Sequence, residues 1–238
     1  MNYPPIPAGH EDRSAHTLTV HECGEAMIPL STLSPRIAVY PAYYHLGYAG
    51  TQTEAYLREG AAARLVSAAD KLPDGHQLVV LDGWRSYEVQ ASIYETFRQS
   101  LIAQGWSDEE AIVSELSKFV AKPTTDVEKP SPHLSGGAVD LTIAGPDGWL
   151  EMGTEFDDFS ERAMTRHYEE LSSPTETDCE IRRNRRLLYH IMIEAGFVNY
   201  SQEWWHYEYG TLSWARKTNQ QPIYGGILSM DEKNVEEQ

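Results

Sequence analysis

Ser131-Pro-His133-Leu-Ser-Gly136-Gly-Ala138-Val-Asp140-Leu-Thr-Ile143 is the stretch that decides the reading of this chain. From Gly137 to Ile143 it alternates as a strand does. Val139, Leu141 and Ile143 fall on one side, and Ala138, Asp140 and Thr142 on the other. Asp140 therefore stands among apolar neighbours, where a carboxylate is costly unless exposed, paired or bound to a cation. His133 lies upstream, behind a Ser-Gly-Gly turn that can fold it back towards Asp140. One imidazole and one carboxylate are two of the three protein ligands of a catalytic zinc, whose fourth position stays open for water.

The third ligand must come from a distant histidine or carboxylate. Glu203-Trp-Trp-His206 is the best candidate. Its two tryptophans can form a dry wall beside a polar pair. One helical turn, or a bulge entering a strand, would aim Glu203 and His206 at one spot. His206 would then ligate, leaving Glu203 free to take a proton from water. The plainer reading is that the His and Asp are hydrogen-bonded structure and the tryptophans are core, and spacing alone leaves both readings open.

Outward from this stretch, residues 1 to about 50 read as strands and loops, including Arg36-Ile-Ala-Val-Tyr40. Leu57, Ala61, Leu65, Ala68 and Leu72 recur at helical spacing and predict a helix over Thr53–Leu72, stopped by Pro73-Asp-Gly75. Gln77-Leu-Val-Val-Leu81 is a strand run that ends at Asp82-Gly83. Ser86 is placed to cap a helix with Val89, Ile93, Phe97 and Leu101 inward and Gly105 at its end. Ser107-Asp-Glu-Glu110 reads as a capping box for a helix burying Ile112, Leu116, Phe119 and Val120. Residues 121–132 form a proline-containing loop. A helix near Asp178–Ala195 ends at Gly196, and Phe197 to Tyr209 reads as strand and turn. This order predicts an α+β fold, with helices packed on a mostly antiparallel central sheet. Residues 1–228 are expected to form a single domain, and the acidic tail 229–238 to be disordered.

The 238 residues are 41% hydrophobic, enough for a real core, and carry a net charge of −17. So acidic a surface repels nucleic acid and anionic membrane, and suits a soluble protein with a small ligand. No apolar run approaches the roughly 20 residues of a membrane span. The N-terminus shows no basic stretch leading into an apolar run, so no secretory signal is read and a cytoplasmic location is expected. Cys23 and Cys179 are then read as free thiols.

Three other features carry less. His21-Glu22-Cys-Gly-Glu25 begins like the helical zinc motif H-E-x-x-H but has Glu25 where the second histidine belongs. Ser131 and Ser135 lack a surrounding G-x-S-x-G, which argues against a serine-hydrolase elbow. Arg182, Arg183, Arg185 and Arg186 read as a solvated helix face with carboxylate partners.

With both candidate segments on the page, the chain resembles the vancomycin-resistance-type D-alanyl-D-alanine dipeptidases. Ser131, His133, Gly136, Ala138 and Asp140 meet that family's motif S-x-H-x-x-G-x-A-x-D, and Glu203, Trp205 and His206 meet E-x-W-H. Met152-Gly-Thr-Glu-Phe-Asp157, Asn184-Arg-Arg-Leu-Leu188, Glu194-Ala-Gly-Phe197 and Gly83-Trp-Arg85-Ser are similar to further family segments, so the likeness runs from about Leu78 to Tyr207. The resemblance implies one zinc per chain, held by His133, Asp140 and His206, with Glu203 as base and Arg85 stabilising the oxyanion. It implies that Ser131 and Asp157 hold the substrate, a free D,D-dipeptide such as D-Ala-D-Ala, with Asp157 facing its amino group. Two departures stand out: Ser86 replaces a common proline, and Pro41-Ala-Tyr-Tyr-His-Leu-Gly-Tyr48 occupies the region that helps cover the site. The competing expectations are a zinc D,D-carboxypeptidase acting on longer wall peptides, a zinc module without catalysis, and a metal-free ligand-binding regulator.

Overall fold

The computed structural model describes residues 3–8, 18–117, 120–158 and 160–230. In chain order its elements are β1 (Met27–Pro29), β2 (Ile37–Val39), α1 (Ala42–His45), β3 (Tyr56–Arg58), α2 (Glu59–Ala69), β4 (Gln77–Asp82), α3 (Tyr87–Ala103) and α4 (Glu109–Leu116). There follow β5 (Ala138–Gly145), β6 (Gly148–Trp149), α5 (Glu176–Glu194), β7 (Val198–Asn199), β8 (His206–Glu208) and α6 (Leu212–Thr218). The main sheet runs β2-β4-β5-β8-β7, with β6 also on β5. Among the described residues, β2 and β4 alone pair in parallel; the other pairs are antiparallel, as the α+β reading expects.

The alternation along β5 sorts its side chains onto two faces. Val139, Leu141 and Ile143 join Leu78 and Val80 of β4 in the main core, with Ala61 and Leu65 of α2 and Leu188, Ile191 and Met192 of α5. On the other face Val79 and Leu81 pack with Ala42 of α1. Asp140 lies on that second face, opposite His206 in the β5–β8 register. The β4–β5 register shifts between Val80 and Asp82, a bulge that sets Asp82 opposite Asp140. The strand register thus delivers two carboxylates and an imidazole to one spot.

Several helix boundaries differ from the sequence expectation. The helix expected from Thr53 begins at Glu59, because Tyr56–Arg58 pairs with β1 instead. The main chain there is also held by the turn before β5: Arg58 N–H donates to Gly136 O at 2.9 Å. Leu57 is buried as a strand residue and Leu72 lies beyond the helix, so two of five periodic positions belong to other structure. Ser107 is not the cap of α4. Asp108 is, accepting from Ala111 N–H at 2.8 Å. Ser86 does cap α3, accepting from Val89 N–H. α5 starts at Glu176 under a capping box formed by Thr175 and Asp178.

The arginine run on α5 is not uniformly solvated either. Arg186 has the expected carboxylate partner, Glu169, at 2.7 Å. Arg185, however, is buried and donates to the carbonyls of Met152, Met164 and Arg162. Its fork-shaped guanidinium satisfies loop carbonyls that no strand reaches. Phe119 and most of the expected tail, 231–238, lie outside the described residues. Cys23 and Cys179 are both free thiols. Among the described residues no helix is long and apolar enough to cross a membrane.

Candidate active site

His133 opens a single 3-10 turn, His133–Ser135, which ends on Gly136 in the left-handed conformation (φ 72°). Glycine adopts that backbone without a Cβ penalty, and the turn folds His133 back over β5 as the sequence suggested. The imidazole Nδ1 lies 2.7 Å from Gly83 O. A carbonyl accepts, so Nδ1 carries the proton and the Nε2 lone pair faces inward. Gly83 is itself dictated by crowding, since a Cβ there would meet Tyr56 O at 2.6 Å.

His206 is oriented from its other side. Its Nε2 lies 3.1 Å from Glu208 Oε1, and Thr211 donates its hydroxyl to the second oxygen of Glu208. Nε2–H therefore points at Glu208 and the Nδ1 lone pair points inward. There it lies 2.9 Å from Asp140 Oδ1 and 3.2 Å from His133 Nε2. His133 Nε2 lies 3.3 Å from Asp140 Oδ2. Three acceptors thus converge: two imidazole lone pairs and a carboxylate, all buried. Such a set repels itself unless a proton or a cation lies between its members. Ligands about 2.0–2.1 Å from a tetrahedral zinc stand roughly 3.3 Å apart, and the observed spacings match. The donor set fits zinc, including the outer hydrogen bonds that fix each ring. Burial opposes charge on Asp140, but the two histidines outweigh it and hold its carboxyl well below the usual range. Burial likewise opposes a charged His206, yet Asp140 and Glu208 raise its pKa well above the ordinary value.

Glu203 sits in the bend that enters β8, not on a helical turn, with Oε2 3.9 Å from His206 Nδ1. Burial pushes its pKa up to about 7, against the pull of His206. Trp205 lines the adjoining cavity, while the Trp204 indole donates away from it, to Thr154. The cavity measures about 310 Å³, near the lower end for ligand pockets. Arg85, Ser131, His133, Asp140, Asp157, Glu203 and His206 all line it, so the site residues that the resemblance implies are gathered at one place.

Arg85 is held on several sides. Its Nε donates to Asp82 Oδ2 at 2.8 Å and its Nη1 to Gln90 Oε1 at 2.9 Å. Asp140 Oδ2 lies 3.5 Å from Nη2. Asp157 has a left-handed backbone (φ 64°), uncommon for a residue with a Cβ. Its carboxylate accepts from the Tyr43 hydroxyl at 3.2 Å, and burial raises its pKa to about 6, with Arg85 opposing. Asp157 could instead cap a helix starting near Phe159, but that position lies outside the described residues. The neighbouring cap-like bond, from Ser160 N–H, goes to Asp158.

Sequence reasoning missed Asp82, Glu208, Gln90 and Tyr43. Glu208 was within reach of period-2 logic, because it stands two residues after His206 and shares its face. His21, by contrast, is exposed and absent from the cluster.

A buried His-Asp-His set with a carboxylate and an arginine beside it, all facing a small cavity, accords with a metallopeptidase, the class to which the family match assigns the chain. The chain belongs to the M15 peptidase family described as D-ala-D-ala dipeptidase, which matches residues 49–222. It is 28% identical to the D-alanyl-D-alanine dipeptidase of Synechocystis over 221 residues, 85% of this chain and 89% of the relative. It is 34% identical to that of Escherichia coli over 149 residues, 62% of each chain. Against the Enterococcus faecium enzyme of the same name, identity is 39% over 83 residues, 34% of this chain and 38% of the relative. Among solved structures, a zinc-bound vancomycin-resistance D,D-pentapeptidase VanY variant aligns with TM-score 0.41 and 20% identity, covering 77% of this chain and 91% of that one.

Proposed function

We propose that the protein is a zinc-dependent dipeptidase that hydrolyses free D,D-dipeptides, D-Ala-D-Ala above all. The observation that carries the reading is the convergence of His133 Nε2, Asp140 and His206 Nδ1, with Glu203 alongside. His133, Asp140 and His206 would hold one zinc per chain. When bound, zinc supplies Lewis acidity, which acidifies water to a pKa of about 7 and polarises a carbonyl.

The chain's own residues do the rest. Glu203 takes the proton from the attacking water and delivers it to the leaving amine nitrogen. Arg85, fixed by Asp82 and Gln90, offers positive charge where the carbonyl oxygen becomes negative. Removal of one such donor typically costs about 10²–10³ in rate. Trp205 keeps one wall apolar. Ser131 lies beside the dipeptide, and Asp157 receives its ammonium. The cavity volume supports a ligand of dipeptide size over an extended wall peptide.

The test is incubation with D-Ala-D-Ala and with N-acetyl-D-Ala-D-Ala, following amine release, alongside elemental analysis of protein from zinc-replete growth. Cleavage of the free dipeptide with one zinc per chain is expected. Absence of metal would sink the zinc assignment, and equal cleavage of both substrates would favour a D,D-carboxypeptidase.

A further inference from the structure

The segment that departs from the family pattern, residues 41–48, places one side chain deep in the site. Tyr43, on α1, is buried, with its hydroxyl between two charged groups. It donates to Asp157 Oδ2 at 3.2 Å and lies 3.4 Å from Arg85 Nη2, from which it can accept. Its ring packs beneath the same guanidinium, 4.7 Å from centroid to Cζ, and meets Tyr48 and Phe156 edge-on. One phenol therefore ties together two residues that are far apart in the sequence and approach from different elements. α1 is fastened in turn: Tyr40 N–H donates to Val80 O of β4, and Tyr48 N–H donates back to Tyr43 O.

We infer that Tyr43 is the residue that sets substrate length, by fixing the span between Asp157 at the amino end and Arg85 at the scissile carbonyl. This rests on the proposed dipeptidase reading. In a free dipeptide the ammonium and the carbonyl that is attacked belong to one residue and flank a single α-carbon. A site that fixes that span favours substrates whose amine begins one residue before the bond. The hydroxyl is suited to the task because it donates to one group and accepts from the other, so each is held relative to the other. The left-handed backbone at Asp157 argues the same way, since such a conformation persists only where its surroundings hold it. Tyr43 is a positioning residue here: it acts through Asp157 and Arg85.

The test is Tyr43→Phe, which keeps the ring and its packing and removes only the hydroxyl, in the zinc-loaded protein. KM for D-Ala-D-Ala should rise about tenfold, as for loss of one charge-assisted hydrogen bond, with kcat changed less than about threefold. The preference for the free dipeptide over N-acetyl-D-Ala-D-Ala should narrow by a similar factor. Placed on Asp157→Asn, the same substitution should add less than about twofold, because a fixed span gains nothing once its charged anchor for the ammonium is gone. Zinc content and melting temperature should match the unmodified protein. An unchanged KM and preference in Tyr43→Phe overturns the inference while leaving the dipeptidase reading intact. So does an equal effect in both backgrounds, or a loss of zinc or of several degrees of stability. Equal cleavage of both substrates by the unmodified protein removes the dipeptidase reading, and the inference with it.

Discussion

Glu208 Oε1 lies 3.1 Å from His206 Nε2, on the opposite side of the ring from Asp140. The ring is thus gripped at both nitrogens, and its inward lone pair is set by a residue that does not face the metal position. Glu208→Ala should weaken zinc binding about 10–100-fold, the usual cost of losing an outer partner of a ligating histidine. Competition with a chromophoric chelator measures this directly. Glu208→Gln, which keeps an acceptor oxygen, should fall between the two.

Glu203 stands beside the ligand set without completing it. Glu203→Gln should retain zinc and lose nearly all turnover, because the amide accepts no proton. Metal analysis and kcat measured on one preparation separate the roles. Half-normal turnover would mean another base, and loss of zinc would make Glu203 a ligand or a support.

Asp157 combines a pKa of about 6 with the ammonium-binding role proposed for it, and the two pull in opposite directions. Below about pH 6 the carboxyl is protonated and offers no charge to an ammonium, so KM for the free dipeptide should rise as pH falls through 6. Stability runs the other way. The folded-state pKa lies above the ordinary 3.8 because burial penalises the charge. Between those values the folded form holds the proton and the unfolded chain has lost it, so this group destabilises the fold increasingly as pH rises to about 6. Asp157→Asn removes the penalty. In the chelator-treated protein at pH 7.5, its melting temperature should rise by roughly 2–6 °C, for about 1–2 kcal/mol, with little change at pH 4.

Arg185 donates to the carbonyls of Met152, Arg162 and Met164, the last of which also accepts from His167 N–H. Arg185→Met should lower stability by about 2 kcal/mol or more, since Met152 O and Arg162 O lose their donor and each such carbonyl costs roughly 1–3 kcal/mol. Denaturant unfolding checks this. A change below about 1 kcal/mol would mean that water replaces the guanidinium.

The candidate His-Asp-His cluster was legible because its information is local. His133 and Asp140 share one turn and one strand, and strand alternation states which face Asp140 occupies. His206 needed only a second short motif. The contacts around Arg85 and Tyr43 were not legible. Tyr43 and Asp157 are separated by 114 positions, and Asp82 faces Asp140 only through a bulge that leaves no mark in composition. The helix expected from Thr53 failed for a related reason. Tyr56–Arg58 fits a helical period as well as a strand, and pairing with β1, invisible in the local sequence, decides between them. Arg185 was misread because a charged residue on an amphipathic helix gives no sign that uncapped carbonyls wait beneath it.

The two-sidedness of β5 has a consequence for how such a protein can diverge. Positions 139, 141 and 143 answer to the hydrophobic core, while Asp140 between them answers to the candidate metal cluster. Both obligations fall on one backbone, so inserting or deleting a single residue there would exchange them and abolish folding and chemistry together. Adaptive change is thereby steered away from the strand and into segments such as 41–48, which reach the cavity without belonging to the sheet. Directed evolution towards new peptide substrates should accumulate its productive substitutions there and leave β5 nearly untouched.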